Sequence, residues 1–500
     1  MKKMCISKIL ATWSKKILLG IMITAMGMST IACQESRQNH AVDEIEINED
    51  IRQLEYDLAE PLVVFYEEDS GILQNFINMY PEIKIELHHI GWGGLDSQYL
   101  EEYIYEHGEP DIILARNIET GYNMRFEYWY QDGLIQDLRE FYINDDSIIE
   151  SEYVPSTFQV LDNGEGLLGL PLSWESRCLI IQDSKWEDSE LSYLPENYTG
   201  KELYTALLHE AKRNREDGEF FWAYNYDFLM DDLYEMDAVK EDENGEVFID
   251  EELFKLLYEY HIQRELASTG GANQRYKAQS HPALDPEALD GRYYGSTLDG
   301  APQVNAVYAN SVAKHNRENI HTYWIPTAED EAAYVGDVRN IAFVGANSAR
   351  KQQAYDVIRL MMDMPITIII EPSGNNDPST FCPVNINRAL QMLEYLDDGE
   401  ENLVIKNLKG MMVDSIEKEK LSKDEKQKVV DVITGVVDLQ FQFDATEVYS
   451  ICSSYVDSYK EGDDINHRQC YFEVMKSLNP ESEKWNLTQE EIKAFVEQTE

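Results

Sequence analysis

The first part of the chain alternates between strand and helix patterns, and this alternation limits the fold more than any other feature. The apolar run 62–65 is typical of a buried strand. Residues 71–79 have apolar side chains at helical spacing, and residues 83–87 alternate between apolar and polar side chains as a strand does. A helical stretch at 99–105 precedes another apolar run at 112–114. This order predicts a parallel sheet covered by helices, which is an α/β fold.

Strand patterns recur later in the chain, separated by long helical segments. We predict further strands at 166–171, 178–182, 305–308, 323–325 and 340–344. The stretch 199–268 is predicted to be mostly helical, with a hairpin turn at 243–245. Residues 349–362 have helical spacing, and the chain beyond them is predicted to be mostly helical as well.

The N-terminus has the pattern of an export signal. Residues 1–32 contain five Lys and no acidic residue, and the apolar run 17–32 is shorter than the roughly 20 residues that span a bilayer. Cys33 follows this run and resembles the modified cysteine of the bacterial lipobox, although Thr30 stands where that motif usually has Leu. The resemblance implies that Cys33 carries two acyl chains and anchors the protein in the membrane. A plain signal peptide cut near Ala32 is the alternative, and the acidic residues 33–60 are predicted to form a tether.

The charge of the chain argues against nucleic-acid binding. Residues 1–32 hold five of the 42 basic residues, so 37 remain against 94 acidic residues, a net charge of −57. A phosphate backbone would be repelled by such a chain. The hydrophobic content of 43% is nevertheless enough for large cores, and about 468 residues exceed what one core usually serves. We therefore expect two lobes or more.

The cysteines form neither a zinc motif nor a dense disulfide framework. Cys178, Cys382, Cys452 and Cys470 are widely spaced, without a C-x-x-C pair. Export would permit a bridge between Cys452 and Cys470, a question that the sequence leaves open. We predict no metal site and no cofactor.

Several stretches resemble, in the same order, segments of the extracellular solute-binding proteins of ABC importers, the sugar-binding type. They are LVVFYEEDSGILQNFINMYPEIKIELHHI, GEPDIILARN, GLIQDL, LLGLPLSWESRCLIIQ, YWIPT with NIAFVGANSARKQQAYDVIRLMMD, and CPVNINRAL. The resemblance implies two α/β lobes with a ligand cleft between them. Lobe one would comprise 61–173 and 311–364, and lobe two 174–310 and 365–500.

The resemblance also implies a function. The protein would be a monomeric, lipid-anchored carrier on the outer side of the cytoplasmic membrane, and not an enzyme. It would bind a small solute, which the resemblance implies is a carbohydrate, and hand it to the permease subunits of an ABC importer.

A rule that is independent of the family nominates loops for the ligand site. Ligands of open α/β sheets lie beyond the carboxyl ends of the strands. Carboxylates there can accept bonds from sugar hydroxyls, aromatic rings can stack on sugar faces, and Arg and Asn can donate. The candidates are Tyr66, Glu67, Glu68 and Asp69 after the first strand, Arg116, Asn117 and Glu119 after the third, Trp174 and Glu175 at the crossover, Tyr308 and Asn310, and Arg339 and Asn340.

Several candidates also have a structural alternative. Glu68 or Asp69 could cap the following helix, Arg116 could pair with a nearby acid, and Trp174 could pack between the lobes. Two other functions stay open: an extracytoplasmic glycoside hydrolase, which needs two carboxylates about 5–10 Å apart across a groove, and a lipoprotein that reports its ligand to a membrane sensor.

Overall fold

The computed structural model describes most of the chain after the N-terminal region. It covers residues 60–67, 72–90, 97–116, 124–176, 178–182, 189–216, 229–242, 245–268, 294–296, 320–363, 382–395, 402–406, 412–417, 423–441, 446–459 and 466–497. All of these lie in the second of two compact units, Leu58–Glu500. The predicted export signal, Cys33 and nearly all of the tether fall outside the described residues.

The strands and helices alternate along the first part of the chain, as predicted. The strands are β1 (Leu62–Tyr66), β2 (Ile85–His89), β3 (Ile112–Arg116), β4 (Leu170–Glu175), β5 (Cys178–Gln182), β6 (Val239–Glu241), β7 (Val247–Ile249), β8 (Tyr294–Ser296), β9 (Ile320–Trp324), β10 (Tyr334–Val344), β11 (Cys382–Pro383), β12 (Asn402–Lys406), β13 (Met412–Glu417) and β14 (Val436–Gln440).

The helices are α1 (Ile72–Met79), α2 (Ser97–His107), α3 (Met124–Gln131), α4 (Arg139–Ile143), α5 (Gly200–Glu216), α6 (Leu229–Glu235), α7 (Glu251–Ser268), α8 (Lys351–Asp363), α9 (Ile386–Tyr395), α10 (Lys423–Gly435), α11 (Thr446–Ser458), α12 (His467–Leu478) and α13 (Gln489–Val496). Among the helices described here, none combines the length and the apolar character that crossing a bilayer requires.

The main sheet has the strand order β11-β4-β10-β3-β1-β2, and β14 pairs with β10 beside this path. β1 is parallel to β2 and β3, whereas β10 is antiparallel to both β3 and β4. β4 therefore runs in the same direction as β1, β2 and β3. The predicted parallel arrangement is confirmed for these strands, and β10 makes the sheet mixed.

The apolar patterns seen in the sequence explain how this sheet is covered. Val64 and Phe65 of β1 are fully buried, as are Ile112 and Ile113 of β3, as expected of strands with helices on both faces. The helix α8 buries Ala354, Val357, Ile358 and Met361, which recur at helical spacing.

A second core, the helical core, is built mainly by α5, α6, α7, α11 and α12. Its buried members include Leu203 and Leu207 of α5, Leu233 of α6, Phe254 of α7 and Phe472 of α12. A three-stranded sheet, β8-β5-β9, and the hairpin β6-β7 also belong to this part of the molecule. β6 and β7 pair on either side of the predicted turn 243–245, of which residues 243 and 244 lie outside the described residues.

Several strand pairings cross the lobe boundaries that the sequence predicts, and those boundaries stay a prediction. β9 lies in the stretch assigned to lobe one, but it pairs with β5, and Tyr323 and Ile325 pack in the helical core. β11 and β14 lie in the stretch assigned to lobe two, yet they pair with β4 and β10 of the main sheet. The hairpin of β12 and β13 interrupts the region predicted to be mostly helical. These are pairings between distant segments, which local hydrophobic patterns do not report.

Candidate functional site

The strands β1, β3 and β4 end at one edge of the main sheet, which we call the carboxyl edge. The long strand β10 crosses this edge in the opposite direction, with Asn340 opposite Arg116 and Asp337 opposite Glu175. Asp337 is also opposite Gln440, at the end of β14. The carboxyl edge therefore gathers the ends of several strands that are far apart in the sequence.

Glu67 follows β1 at the carboxyl edge and is held by an ion pair that the sequence analysis missed. Arg125 on α3 donates to both of its carboxylate oxygens, at 2.5 Å and 2.9 Å. The backbone N–H of Arg116 donates to the same carboxylate at 2.9 Å, and Arg125 also donates to the Arg116 carbonyl at 2.7 Å. These bonds tie the ends of β1 and β3 to α3.

The pair is buried in an aromatic setting. The Arg125 guanidinium lies 4.6 Å from the centre of the Phe126 ring and 5.5 Å from that of Trp129, and Glu67 and Arg125 are only 5% and 2% exposed. Burial lowers the pKa of Arg125, while the charge of Glu67 opposes that shift. The structure gives Glu67 the role of positioning Arg116 and the end of β1. In the sequence, the only signal of this buried pair was an arginine among the apolar residues of 124–129.

Two aromatic side chains lie side by side where β1 and β2 end. Tyr66 is opposite His89 in the parallel pair, and their ring centres are 5.1 Å apart. Tyr66 is half-buried and His89 is exposed, so both rings reach solvent. Arg116, also half-buried, ends β3 on the other side of β1. These three side chains could contact a ligand at the carboxyl edge, and His89 was not among the sequence candidates.

Trp174 does not have the exposed position that a stacking platform needs. It lies within β4, is fully buried, and its indole N–H donates to the Pro383 carbonyl of β11 at 3.0 Å. A Cβ at Gly336 would lie 2.9 Å from the Trp174 ring, so the two residues are closely packed. The structure therefore assigns Trp174 to packing between strands, the alternative that the sequence left open.

Polar contacts hold β10 against β4 near the carboxyl edge. Asn340 donates to the Ser173 hydroxyl through its backbone N–H at 3.2 Å and through its side-chain amide at 2.8 Å. Arg339 lies 3.5 Å from the Asp337 carboxylate and is 4% exposed. Both predicted residues of this segment thus lie at the carboxyl edge in mostly buried positions.

The other candidates are not placed by the structure. Glu68, Asp69, Asn117, Glu119, Tyr308 and Asn310 lie outside the described residues, and Glu175 is described only through its backbone pairing with Asp337. Within the part of the chain that is described, no group of three or more His, Cys, Asp or Glu side chains could hold a metal ion.

Solved structures of solute-binding proteins have a similar arrangement. An extracellular solute-binding protein of family 1 from Alicyclobacillus acidocaldarius has a TM-score of 0.52 at 12% identity, over 84% of this chain and 99% of that one. An ABC substrate-binding protein from Listeria monocytogenes, in complex with cycloalternan, has a TM-score of 0.51 at 12% identity, over 84% and 99%. This chain has the two-lobed fold of an extracellular solute-binding protein.

A third solved structure agrees with this fold. A sugar transporter from Rhizobium etli in an open conformation has a TM-score of 0.52 at 13% identity, over 85% of this chain and 100% of that one. No family model matches the sequence, and no curated protein matches it. The predicted α/β, two-lobed solute-binding fold is confirmed on this structural likeness.

Proposed function

We propose that the protein captures a solute outside the cytoplasmic membrane and delivers it unchanged to the permease of an ABC importer. The observation that carries this proposal is the solute-binding fold, which covers most of the chain. The strand β10 runs from its pairing with β14 to its pairing with β3, past the carboxyl edge. Parts of a protein connected by a few strands can hinge, and a ligand that contacts both sides favours the closed state.

The proposed ligand is a carbohydrate. Tyr66 and His89 offer two neighbouring rings on which a sugar face could stack, and Arg116 offers donors for hydroxyl groups. The related Listeria protein was solved with a cyclic sugar, cycloalternan, which agrees with this ligand class. The proposed location is the outer face of the membrane, with Cys33 carrying the lipid anchor.

A thermal-shift screen of the protein against a sugar library tests the proposal. A ligand that binds only the folded protein raises the unfolding midpoint in proportion to the logarithm of its concentration. The substitution Tyr66→Ala should weaken binding of the ligand about tenfold, the loss expected from one stacked ring. Tyr105→Ala is the matched control, because Tyr105 is 92% exposed near the end of α2, which leads to the opposite edge of the sheet.

The products separate this function from the alternatives. Recovery of the bound sugar at its original mass supports a carrier, whereas release of shorter sugars would indicate a glycoside hydrolase. Co-purification with permease subunits would support transport over ligand sensing.

Membrane fractionation of the wild type and Cys33→Ser tests the anchor, since the variant should leave the membrane fraction.

A further inference from the structure

Two cysteines of the helical core lie against each other. Cys452 is on α11 and Cys470 is on α12; both are free cysteines, and their side chains interact with each other. They are 1% and 0% exposed, and both belong to the helical core. Tyr258 of α7 lies close enough to both thiols to interact electrostatically with each. The two side chains therefore meet within the contact between two neighbouring helices.

We propose that Cys452 and Cys470 form a disulfide when the chain folds outside the cytoplasm. This inference rests on the extracytoplasmic location in the proposed function. The two thiols lose two protons and two electrons as the S–S bond forms. The oxidant is a dissolved or protein-borne disulfide, which accepts the electrons and protons and leaves as two thiols.

The geometry suits a bridge. A disulfide requires Cα atoms about 4.4–6.8 Å apart and side chains that point towards each other. Cys452 and Cys470 lie on two helices that pack against each other, and their side chains interact within the helical core, which suits the second condition. Cys382 is a useful contrast, because it is buried in the main sheet beside β4 and not in the helical core.

The surroundings also predict when the bond forms. The interaction with Cys452, followed by burial, raises the pKa of the Cys470 thiol well above its usual range. The thiolate is the attacking species in disulfide exchange, and the folded pair is shielded from an external oxidant. Oxidation should therefore be slow in the folded dithiol and fast while the chain is still folding.

The bridge can be tested on the full chain exported by a bacterial host, after its free thiols have been trapped with an alkylating reagent in denaturant. We expect a peptide pair linked through Cys452 and Cys470 in non-reducing mass spectrometry, which separates on reduction. In refolding from denaturant, oxidised glutathione added at the start should give the bridge at least tenfold faster than the same reagent added after folding. The bridged protein should melt about 3–6 °C above its reduced form, because the link closes a loop of about 18 residues.

Cysteine variants and the cellular location of the chain distinguish the possible outcomes. Cys452→Ser and Cys470→Ser should each abolish the linked peptide and the melting difference, whereas Cys382→Ser should leave both unchanged. Exported chain with Cys452 and Cys470 both alkylated, or with either joined to another cysteine, would overturn the inference. Chain that stays in the cytoplasm would contradict the proposed location instead, and the refolding experiment then still decides whether the two cysteines pair.

Discussion

The buried pair of Glu67 and Arg125 makes a quantitative prediction about the candidate site. The substitution Arg125→Leu removes two bonds to the Glu67 carboxylate and one to the Arg116 carbonyl. The side chains of Arg125 and Glu67 are 1% and 6% exposed, so the carboxylate loses its counter-charge in a place that water barely reaches. Removing one partner of such a pair costs about 3–5 kcal/mol of the free energy of unfolding.

Urea denaturation of the wild type and the variants measures this cost. Arg139 is the matched control, because it also donates two bonds to a carboxylate, that of Asp162 at 2.8 Å and 2.9 Å, but in an exposed pair. Arg139→Leu should cost at most about 1 kcal/mol. The double variant Glu67→Gln with Arg125→Leu should be less destabilised than Arg125→Leu alone, because no charge is left unpaired. Equal losses for Arg125→Leu and Arg139→Leu would refute the reasoning.

Three further predictions concern packing and pH. Trp174→Ala should lower the free energy of unfolding by about 3–5 kcal/mol in urea denaturation, because the indole fills a fully buried space; a loss below about 1 kcal/mol would contradict its packing role. Gly345→Ala should cost about 1–3 kcal/mol in the same measurement, because a Cβ there would collide with the Pro110 carbonyl; an unchanged midpoint would show that the backbone yields. Burial, aided by the charge of Asp237, raises the pKa of Asp438 above 3.8. The stability that this carboxyl contributes is fully present below that pH and is lost as the pH rises through the raised pKa. The melting temperature of Asp438→Asn relative to the wild type should therefore rise between pH 4 and pH 7, and a constant difference would contradict the shift.

The sequence predicted those parts of the fold that depend on local patterns. β1, α1, β2, α2 and β3 follow from runs of apolar residues with periods of two or 3.6, and the helix at 351–363 follows from the same spacing. The parallel order then follows because short connections through helices leave few other arrangements. The pairing of β14 with β10 could not be predicted this way, because its strand pattern says nothing of a partner about a hundred residues away.

The candidate site was predicted in its position more than in its roles. The rule of carboxyl ends placed Tyr66, Glu67 and Arg116 at one edge of the sheet. It could not tell that Glu67 would meet Arg125, because that contact depends on where α3 packs across the end of β1. The buried position of Trp174 could not be predicted for a similar reason, since it depends on the packing of β10 and β11 beside β4.

Native mass spectrometry of the protein with the sugar that gives the largest thermal shift tests the central claim most directly. The account predicts one sugar molecule per chain at saturation, recovered from the complex with its original mass. Shortened sugars, or failure to retain any sugar across a carbohydrate library, would contradict the proposal that this protein carries a sugar unchanged.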